Sequence, residues 1–341
     1  MRYNGGLVGA KKTTTSNAAS GIWSLKNAQV ERGASAWPTF GVAVAGYFGG
    51  GTDGSIMFSG IDKITFADDT KSTLSATLTS ERSHLAGLAN SGTAGYFLGG
   101  YHSNNTNTSG IDKIAFPADT KTTLSATLTA ATRGNRGVAN SGVAGYSLGG
   151  YDTGFLSRIE KITFSDDSKS TLSATLSSNR AEMGAMANSG VAGYAGGGYD
   201  TTNVALTGID KITFSSEAKS TLSATLAIAK YGLVGMANSG TAGYIGGGQD
   251  INGTKYSNIE KITFSSDTKS TLSATLSSVR AQVAAMANSG TAGYFGGGFN
   301  NTGQLSGIDK ITFASDTIST LSATLTIAKN NLSAFADSGV L

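Results

Sequence analysis

The sequence predicts an all-β fold: a six-bladed β-propeller with four-stranded antiparallel blades. A Tyr-x-x-Gly-Gly or Tyr-x-Gly-Gly-Gly segment recurs six times, at intervals of 48 to 50 residues. Two period-two segments follow each copy, and this alternation is typical of strands. Glycine accounts for 48 of 341 residues and charged residues for only 14%, which disfavours long helices. The six repeated tyrosines are Tyr47, Tyr96, Tyr146, Tyr194, Tyr244 and Tyr294.

Each repeat of about 50 residues, the usual blade size, contains four predicted strands. The first precedes Ala-Asn-Ser-Gly, as in residues 185–187, and the second contains the repeated tyrosine. The third is Ile-(Asp/Glu)-Lys-Ile-(Thr/Ala)-Phe, and the fourth is Thr-Leu-Ser-Ala-Thr-Leu, as in residues 73–78. Asn-Ser-Gly and Asp-Asp-Thr-Lys have hairpin-turn chemistry, so they separate the first strand from the second and the third from the fourth.

The order of residues within each unit resembles a kelch blade. A basic residue, small residues, a turn, an aromatic residue, a Gly-Gly doublet and apolar strands recur in that order from about residue 32 to residue 341. One departure is Leu74 or Leu124 where a kelch blade has tryptophan in the fourth strand. The resemblance implies a propeller.

The two ends of the repeat array predict how the ring closes. Residues 331–341 match the first strand of a blade, and residues 37–40, where the first unit should have that strand, contain a proline. We therefore expect the C-terminal strand to complete the first blade and remove an exposed edge; the alternative is an open solenoid. The predicted domains are a leader of residues 1–31 and a propeller of residues 32–341.

The leader contains Ala-Ser-Gly-Ile-Trp-Ser-Leu at residues 19–25. This segment resembles one in tailed-phage virion proteins, where it precedes a repetitive domain. The resemblance implies attachment to other virion proteins through Ile22, Trp23 and Leu25, in a homo-oligomeric or multi-copy assembly in the tail or fibre, formed in the host cytoplasm. The alternative is a leader that packs these side chains on the propeller.

Composition argues against several other functions. The net charge is +3 without a basic block, so we expect no nucleic-acid partner. No run of 18 apolar residues and no secretory signal occurs, so we expect no membrane insertion. Cysteine is absent and the only two histidines, His84 and His102, do not recur. We therefore expect no enzyme, no cofactor and no metal site.

One acidic position recurs in every unit. Its six carboxylates could hold a cation, or each could pair with the following lysine or with a basic residue of a neighbouring blade. Because the position repeats in every blade, the structural interpretation is favoured. The six residues are Asp62, Asp112, Glu160, Asp210, Glu260 and Asp309.

The repeats differ mainly in two loops: the one after Gly-Gly and the one after the fourth strand. Both are expected on one face of a propeller, and binding residues usually lie on variable loops of a rigid scaffold. The sequence therefore predicts a phage virion structural protein, a tail-fibre or host-contact component that binds a partner protein or a host surface glycan. The alternative is a non-phage propeller lectin, adhesin or interaction scaffold. The candidate binding residues are Tyr101, His102, Asn104, Asn105, Tyr151, Asp152, Phe155, Tyr199, Asp200, Gln249, Asp250, Tyr256, Phe299, Asn300 and Asn301.

Overall fold

The structure, a computed structural model, describes residues 13–15, 18–20, 45–202 and 204–337. The chain divides into a unit of residues 1–42 and a unit of residues 43–341. In the first unit, strands β1 (Thr13–Thr15) and β2 (Ala18–Ser20) pair antiparallel. The candidate attachment residues Ile22, Trp23 and Leu25, the predicted boundary after residue 31 and the proline-containing segment 37–40 lie outside the described residues.

The second unit consists of six antiparallel sheets of four strands each, and its described residues contain no helix. The first blade contains β28 (Ser333–Ala336), β3 (Ala45–Gly49), β4 (Ile61–Thr65) and β5 (Thr70–Thr73). The second contains β6 (Ala86–Asn90), β7 (Ala94–Leu98), β8 (Ile111–Ala115) and β9 (Thr120–Thr123). The third contains β10 (Arg136–Asn140), β11 (Ala144–Tyr151), β12 (Phe155–Thr163) and β13 (Lys169–Thr175).

The fourth blade contains β15 (Gly184–Asn188), β16 (Ala192–Gly196), β18 (Ile209–Thr213) and β19 (Ala218–Thr221). A two-stranded extension lies beside its inner end, β14 (Arg180–Ala181) with β17 (Tyr199–Asp200). The fifth blade contains β20 (Tyr231–Asn238), β21 (Ala242–Gln249), β22 (Asn258–Thr263) and β23 (Thr268–Thr275). The sixth contains β24 (Ala284–Asn288), β25 (Ala292–Gly296), β26 (Gly307–Thr312) and β27 (Thr317–Thr324).

The ring closes through the C-terminal strand. β28 pairs antiparallel with β3, with Ala334 opposite Phe48 and Phe335 opposite Tyr47. The first strands of successive blades are neighbours all the way around, and β28 contacts both β24 and β6. The predicted six-bladed closure is therefore confirmed, and the open-solenoid alternative is wrong.

The fourth strand differs from the prediction. In the first blade it is β5 (Thr70–Thr73), which begins in the Asp-Asp-Thr-Lys segment and ends before the predicted Leu-Ser-Ala core. The amides of Leu74 and Leu78 donate to the carbonyls of Ile61 and Ser59, so the chain stays beside the third strand without a regular ladder. Only the third, fifth and sixth blades extend the fourth strand to the following threonine, Thr175, Thr275 and Thr324.

The apolar cores lie between blades. One cluster joins Met186, Tyr194 and Leu226 of the fourth blade to residues of the fifth blade. A Cβ on Gly243 of the fifth blade would approach the Met186 sulfur to 2.1 Å. Neighbouring sheets therefore approach so closely that glycine is needed in the second strand, which explains much of the unusual glycine content.

Candidate binding site on the varied face

The turns after the first and third strands form one face, here called the uniform face. Each turn after a third strand contributes an acid that the preceding blade holds. Asp267 of the fifth blade accepts hydrogen bonds from the Tyr194 hydroxyl at 2.9 Å and the Lys211 ammonium at 2.6 Å, both from the fourth blade. The other five acids held in this way are Asp119, Asp167, Glu217, Asp316 and Asp69, the last by the sixth blade. We call this repeated contact the Tyr–Lys–acid clamp.

The clamp shows that these turns also join neighbouring blades, beyond closing their own hairpins. The repeated tyrosine also stacks on the phenylalanine that ends the next blade's third strand, as Tyr194 does on Phe264 at 5.1 Å between ring centroids. Burial, followed by the nearby charge of Glu217 and the hydrogen bond to it, raises the pKa of Tyr146 to about 12. In the two turns that contain two acids, the second (Asp69 or Asp167) joins blades, whereas the first (Asp68 or Asp166) accepts bonds within its own turn.

The Asn-Ser-Gly turns also join neighbouring blades. The Gly190 amide donates to the Asn140 side chain at 3.0 Å, and the Ser141 amide donates to the Ser189 hydroxyl at 3.0 Å. Equivalent bonds link the other described turns of this kind. The uniform face is therefore constant because its side chains make inter-blade contacts.

The recurring carboxylates of the third strands are satisfied by protein groups. Asp112 accepts from the Arg82 guanidinium at 3.0 Å and from the Thr79 amide at 2.9 Å, and Arg82 precedes the second blade. The sequence left two partners open for each of these acids: the lysine next to it in the third strand, or a basic residue of a neighbouring blade. The structure shows the basic residue that precedes the blade, because the adjacent lysine belongs to the Tyr–Lys–acid clamp. Equivalent pairs are Arg180–Asp210, Arg280–Asp309, Lys230–Glu260 and Lys329–Asp62.

The third blade departs from this pattern. Thr132 stands where the other blades have a basic residue, and Arg158 reaches Glu160 at 3.2 Å instead.

Burial alone would raise the pKa of Asp112, but Arg82 and the Thr79 hydrogen bonds lower it below its ordinary value. Within residues 45–202 and 204–337, no group of three or more histidine or acidic side chains is arranged to hold a metal ion.

The opposite face, here called the varied face, carries the loops that differ among blades. At its centre six residues in the left-handed conformation, with φ between 52° and 65°, form a closed ring. The amide of each donates to the carbonyl of the residue before it in the ring, at 2.6 to 3.0 Å. We call this set the axial ring: His84, Gly134, Glu182, Gly232, Gln282 and Asn331.

Beside the axial ring lies a cavity of about 210 Å³, here called the mouth cavity. His84 and Glu182 face each other with 3.8 Å between Nε2 and Oε1. Burial, with Arg136 and Arg133 nearby, lowers the pKa of His84 to about 3, so this imidazole is neutral at pH 7. Burial raises the pKa of Glu182, although Arg136 opposes that shift. The lining residues are His84, Tyr101, Arg133, Gly134, Tyr151, Ala181, Glu182 and Tyr199.

Aromatic rings surround the cavity on one side. The Arg133 guanidinium lies between the rings of Tyr101 and Tyr151, 4.5 and 4.7 Å from their centroids. Phe155 contacts both Tyr151 and Tyr199 edge to face. These rings restrain one another, so the cavity wall is preorganised.

The structure brings together only part of the predicted site. Tyr101, Tyr151 and Tyr199 line the mouth cavity and Phe155 supports them. Gln249 is buried, and Phe299 lies beneath Lys255, outside the cavity. In the last four blades, the residue that follows Tyr151, Tyr199, Gln249 or Phe299 caps its own loop. These capping residues are Asp152, Asp200, Asp250 and Asn300.

The remaining candidates also bond within or between neighbouring loops. Asn105 accepts from the Tyr101 hydroxyl, and Asn104 accepts from Thr106. His102 Nδ1 lies 3.0 Å from the Glu81 carbonyl. Tyr256 donates to Asp250, and Asn301 accepts from Lys255. These side chains hold the loops in shape, and several remain exposed at the rim.

Sequence reasoning did not place Arg133, Glu182 or His84 at this cavity. The sequence did contain a signal for Glu182 and His84: when the six units are aligned, the residue two positions after the repeated basic site varies from unit to unit. The residues at this position form the axial ring only once the blades close. Below the ring, Arg136 lines an axial space of about 30 Å³ and donates to the Met183 carbonyl, so the channel is nearly filled.

No family model matches this chain. No curated protein matches it closely enough to count as a relative. The part of the chain that the structure describes has no helix long and apolar enough to cross a membrane.

Proposed function

We propose that this chain is a structural protein of a phage virion, a tail-fibre or host-contact component, which binds a partner protein or a glycan without catalysing a reaction. The observation that carries the binding part is the contrast between the two faces. Inter-blade bonds occupy the uniform face, whereas the varied face combines diverse loops with the mouth cavity. A β-propeller with these features suits a role in binding or protein interaction.

The side chains around the cavity suit recognition. Tyrosine and arginine offer large contact areas and hydrogen bonds with little loss of side-chain freedom, particularly when they are already restrained. Arg133 is held between two rings, and Tyr101 is held by Asn105. The scaffold therefore presents a prepared surface to a ligand.

The virion part of the proposal rests on the leader. The segment at residues 19–25 resembles one that precedes repetitive domains in tailed-phage virion proteins. We propose that Ile22, Trp23 and Leu25 attach several copies to other virion proteins in the host cytoplasm, so that the propeller faces the host.

Two measurements test the proposal. Mass spectrometry of gradient-purified particles should find the chain at a constant ratio to other structural proteins, and Trp23→Ala should remove it from particles while the propeller still melts cooperatively. The purified protein should also bind host cells, and substitutions on the varied face should weaken that binding. Absence from particles would contradict the virion role and favour the lectin or adhesin alternative.

A further inference from the structure

We propose that the mouth cavity binds one sugar residue at the end of a glycan, with a sugar hydroxyl donating to Glu182. This inference rests on the proposed function, because it names the ligand class that the varied face takes. The cavity is a distinct site: it lies at the axial ring, inside the rim formed by the loop tips.

The first argument is the Glu182 carboxylate. Its residue is only 6% exposed, its Oε1 atom lies 3.8 Å from His84 Nε2, beyond hydrogen-bond distance, and its buried Oε2 atom has no hydrogen-bond partner. Buried acceptors are normally satisfied, so a carboxylate that lines a cavity and accepts too few hydrogen bonds indicates a missing donor. A ligand hydroxyl supplies such a donor.

The second argument is size. A volume of about 210 Å³ corresponds to about seven water molecules in the liquid. Ordinary small-molecule pockets have about 300–1,000 Å³, so this one lies below that range and suits a single six-membered ring with polar substituents. The axial space below, which Arg136 lines, holds only about 30 Å³, and the ligand therefore enters from the varied face and ends in the cavity.

The third argument is the chemistry of the lining. Three tyrosine rings supply flat apolar surface, while Arg133 supplies donors and Glu182 an acceptor. A sugar has apolar C–H faces and hydroxyl groups that both donate and accept, and this matches the mixture. A metal ion fits poorly, because Arg133 and Arg136 place two positive charges close to one carboxylate.

The glycine at position 134 provides a way to close the cavity. Four of the six axial-ring residues carry side chains in the left-handed conformation, but Gly134 does not. A Cβ there would lie 3.4 Å from the Ala181 Cβ, which is ordinary contact. Asn331 occupies the equivalent position with φ 52°, so Gly134→Asn should fold and fill the cavity.

The experiment uses the full chain and four free sugars: glucose, galactose, mannose and N-acetylglucosamine. Saturation-transfer NMR at about 10 mM sugar detects the weak binding expected of one small ring. We expect a signal from at least one sugar with the native chain. Gly134→Asn should abolish it, and Glu182→Leu should weaken affinity at least about tenfold because a charged acceptor is lost.

The matched control compares equivalent aromatic positions. Tyr151→Ala removes a cavity wall, whereas Phe299→Ala changes the same position of the sixth blade outside the cavity. We expect loss of sugar binding in the first and native binding in the second, with cooperative melting of all variants. No signal from any of the four sugars, or a signal that survives Gly134→Asn, would overturn the inference.

Host-cell binding separates this inference from the proposed function. If cell binding survives Gly134→Asn but is lost on substitution of Asn300 and Asn301, the varied face binds the host through its rim, and the mouth-cavity inference is wrong. If no substitution on the varied face affects cell binding, both proposals are wrong.

Discussion

Removal of one acid from the Tyr–Lys–acid clamp should destabilise the whole ring. Asp267→Ala removes the acceptor of the Tyr194 hydroxyl and the Lys211 ammonium and leaves alanine at φ 54°. The lost hydrogen bond from the part-buried Tyr194 hydroxyl to the carboxylate contributes about 1 kcal/mol. The ion pair, with side chains 20% and 30% exposed, contributes about 0.5 kcal/mol after screening by solvent.

The backbone adds a third contribution. Alanine in the left-handed conformation costs about 1 kcal/mol more than aspartate, which tolerates it through local hydrogen bonding. The total is about 2.5 kcal/mol, which lowers the melting temperature by about 5 °C in a domain of this size. Asp267→Asn keeps an acceptor and the backbone preference, so it should cost only about 0.5 kcal/mol.

The assay is chemical denaturation followed by both circular dichroism and tyrosine fluorescence, in a double-mutant cycle of Tyr194→Phe with Asp267→Ala. Because the two residues belong to different blades, a coupling of about 1 kcal/mol measures contact between blades directly. A coupling within about 0.3 kcal/mol of zero, or equal effects of Asp267→Ala and Asp267→Asn, would refute this reasoning.

Three further predictions concern pH, packing and buried charge. The folded pKa of His84, about 3, lies below the unfolded value of about 6.5, so the unfolded chain binds the extra proton and stability falls as pH drops below about 6.5. Since one-fifth of the His84 side chain is exposed, the free energy of unfolding should fall by about 1 kcal/mol between pH 7 and pH 5. This fall should disappear in His84→Gln, and an identical pH profile in the variant would contradict the prediction. Gly137→Ala should cost about 1–3 kcal/mol in thermal melts because its Cβ would lie 2.1 Å from the Gly87 carbonyl oxygen, whereas Gly154→Ala, with nothing within 4 Å, should be neutral; equal effects would argue against tight inner packing. Asp112→Asn should cost about 3 kcal/mol in denaturant titrations because it leaves the buried Arg82 unpaired, and Glu160→Gln should cost less because its arginine is 20% exposed.

The blade architecture could be predicted because local patterns determine it. The β-branched and aromatic residues of Ile-Asp-Lys-Ile-Thr-Phe predict a strand. Ile61 and Ile64 point to opposite faces of it because they are three positions apart, and both are fully buried because each blade packs between two neighbours. The C-terminal closure followed from equivalence between residues 333–336 and other first strands. These inferences required only comparison of one repeat with the next.

Contacts between blades could not be predicted in the same way. The pairing of Lys211 with Asp267, 56 positions away, depends on the angle between sheets rather than on any local pattern. In the first, second and fourth blades the fourth strand ends before the predicted Leu-Ser-Ala segment. In the first blade, Leu74 and Leu78 bond to the chain of the third strand without a regular ladder, although the sequence still alternates. Local periodicity does not determine such bonding.

The sequence predicted which face carries the candidate site and which tyrosines line its cavity. Glu182 and Arg133 were missed because a lone acid or arginine in a loop is usually solvated. Only ring closure brings Glu182 beside His84, 98 positions away in the sequence, and buries it. The sequence analysis treated polar residues at the loop tips, such as Asp152 and Asn300, as binding candidates equal to the aromatic residues. Their side chains instead cap their own turns, and these hydrogen bonds depend on the loop conformation, which the sequence pattern does not determine.

Closure of the ring is tested most directly by a disulfide between its two ends. Thr52 and Asn330 exchange backbone hydrogen bonds at 3.0 and 2.9 Å, a pairing that places Cα atoms about 5.5 Å apart, within disulfide reach. The chain has no cysteine, so Thr52→Cys with Asn330→Cys introduces a single possible bridge. Mass spectrometry after oxidation should find an intrachain disulfide in nearly every monomer; free thiols or only interchain links would contradict the closed six-bladed ring.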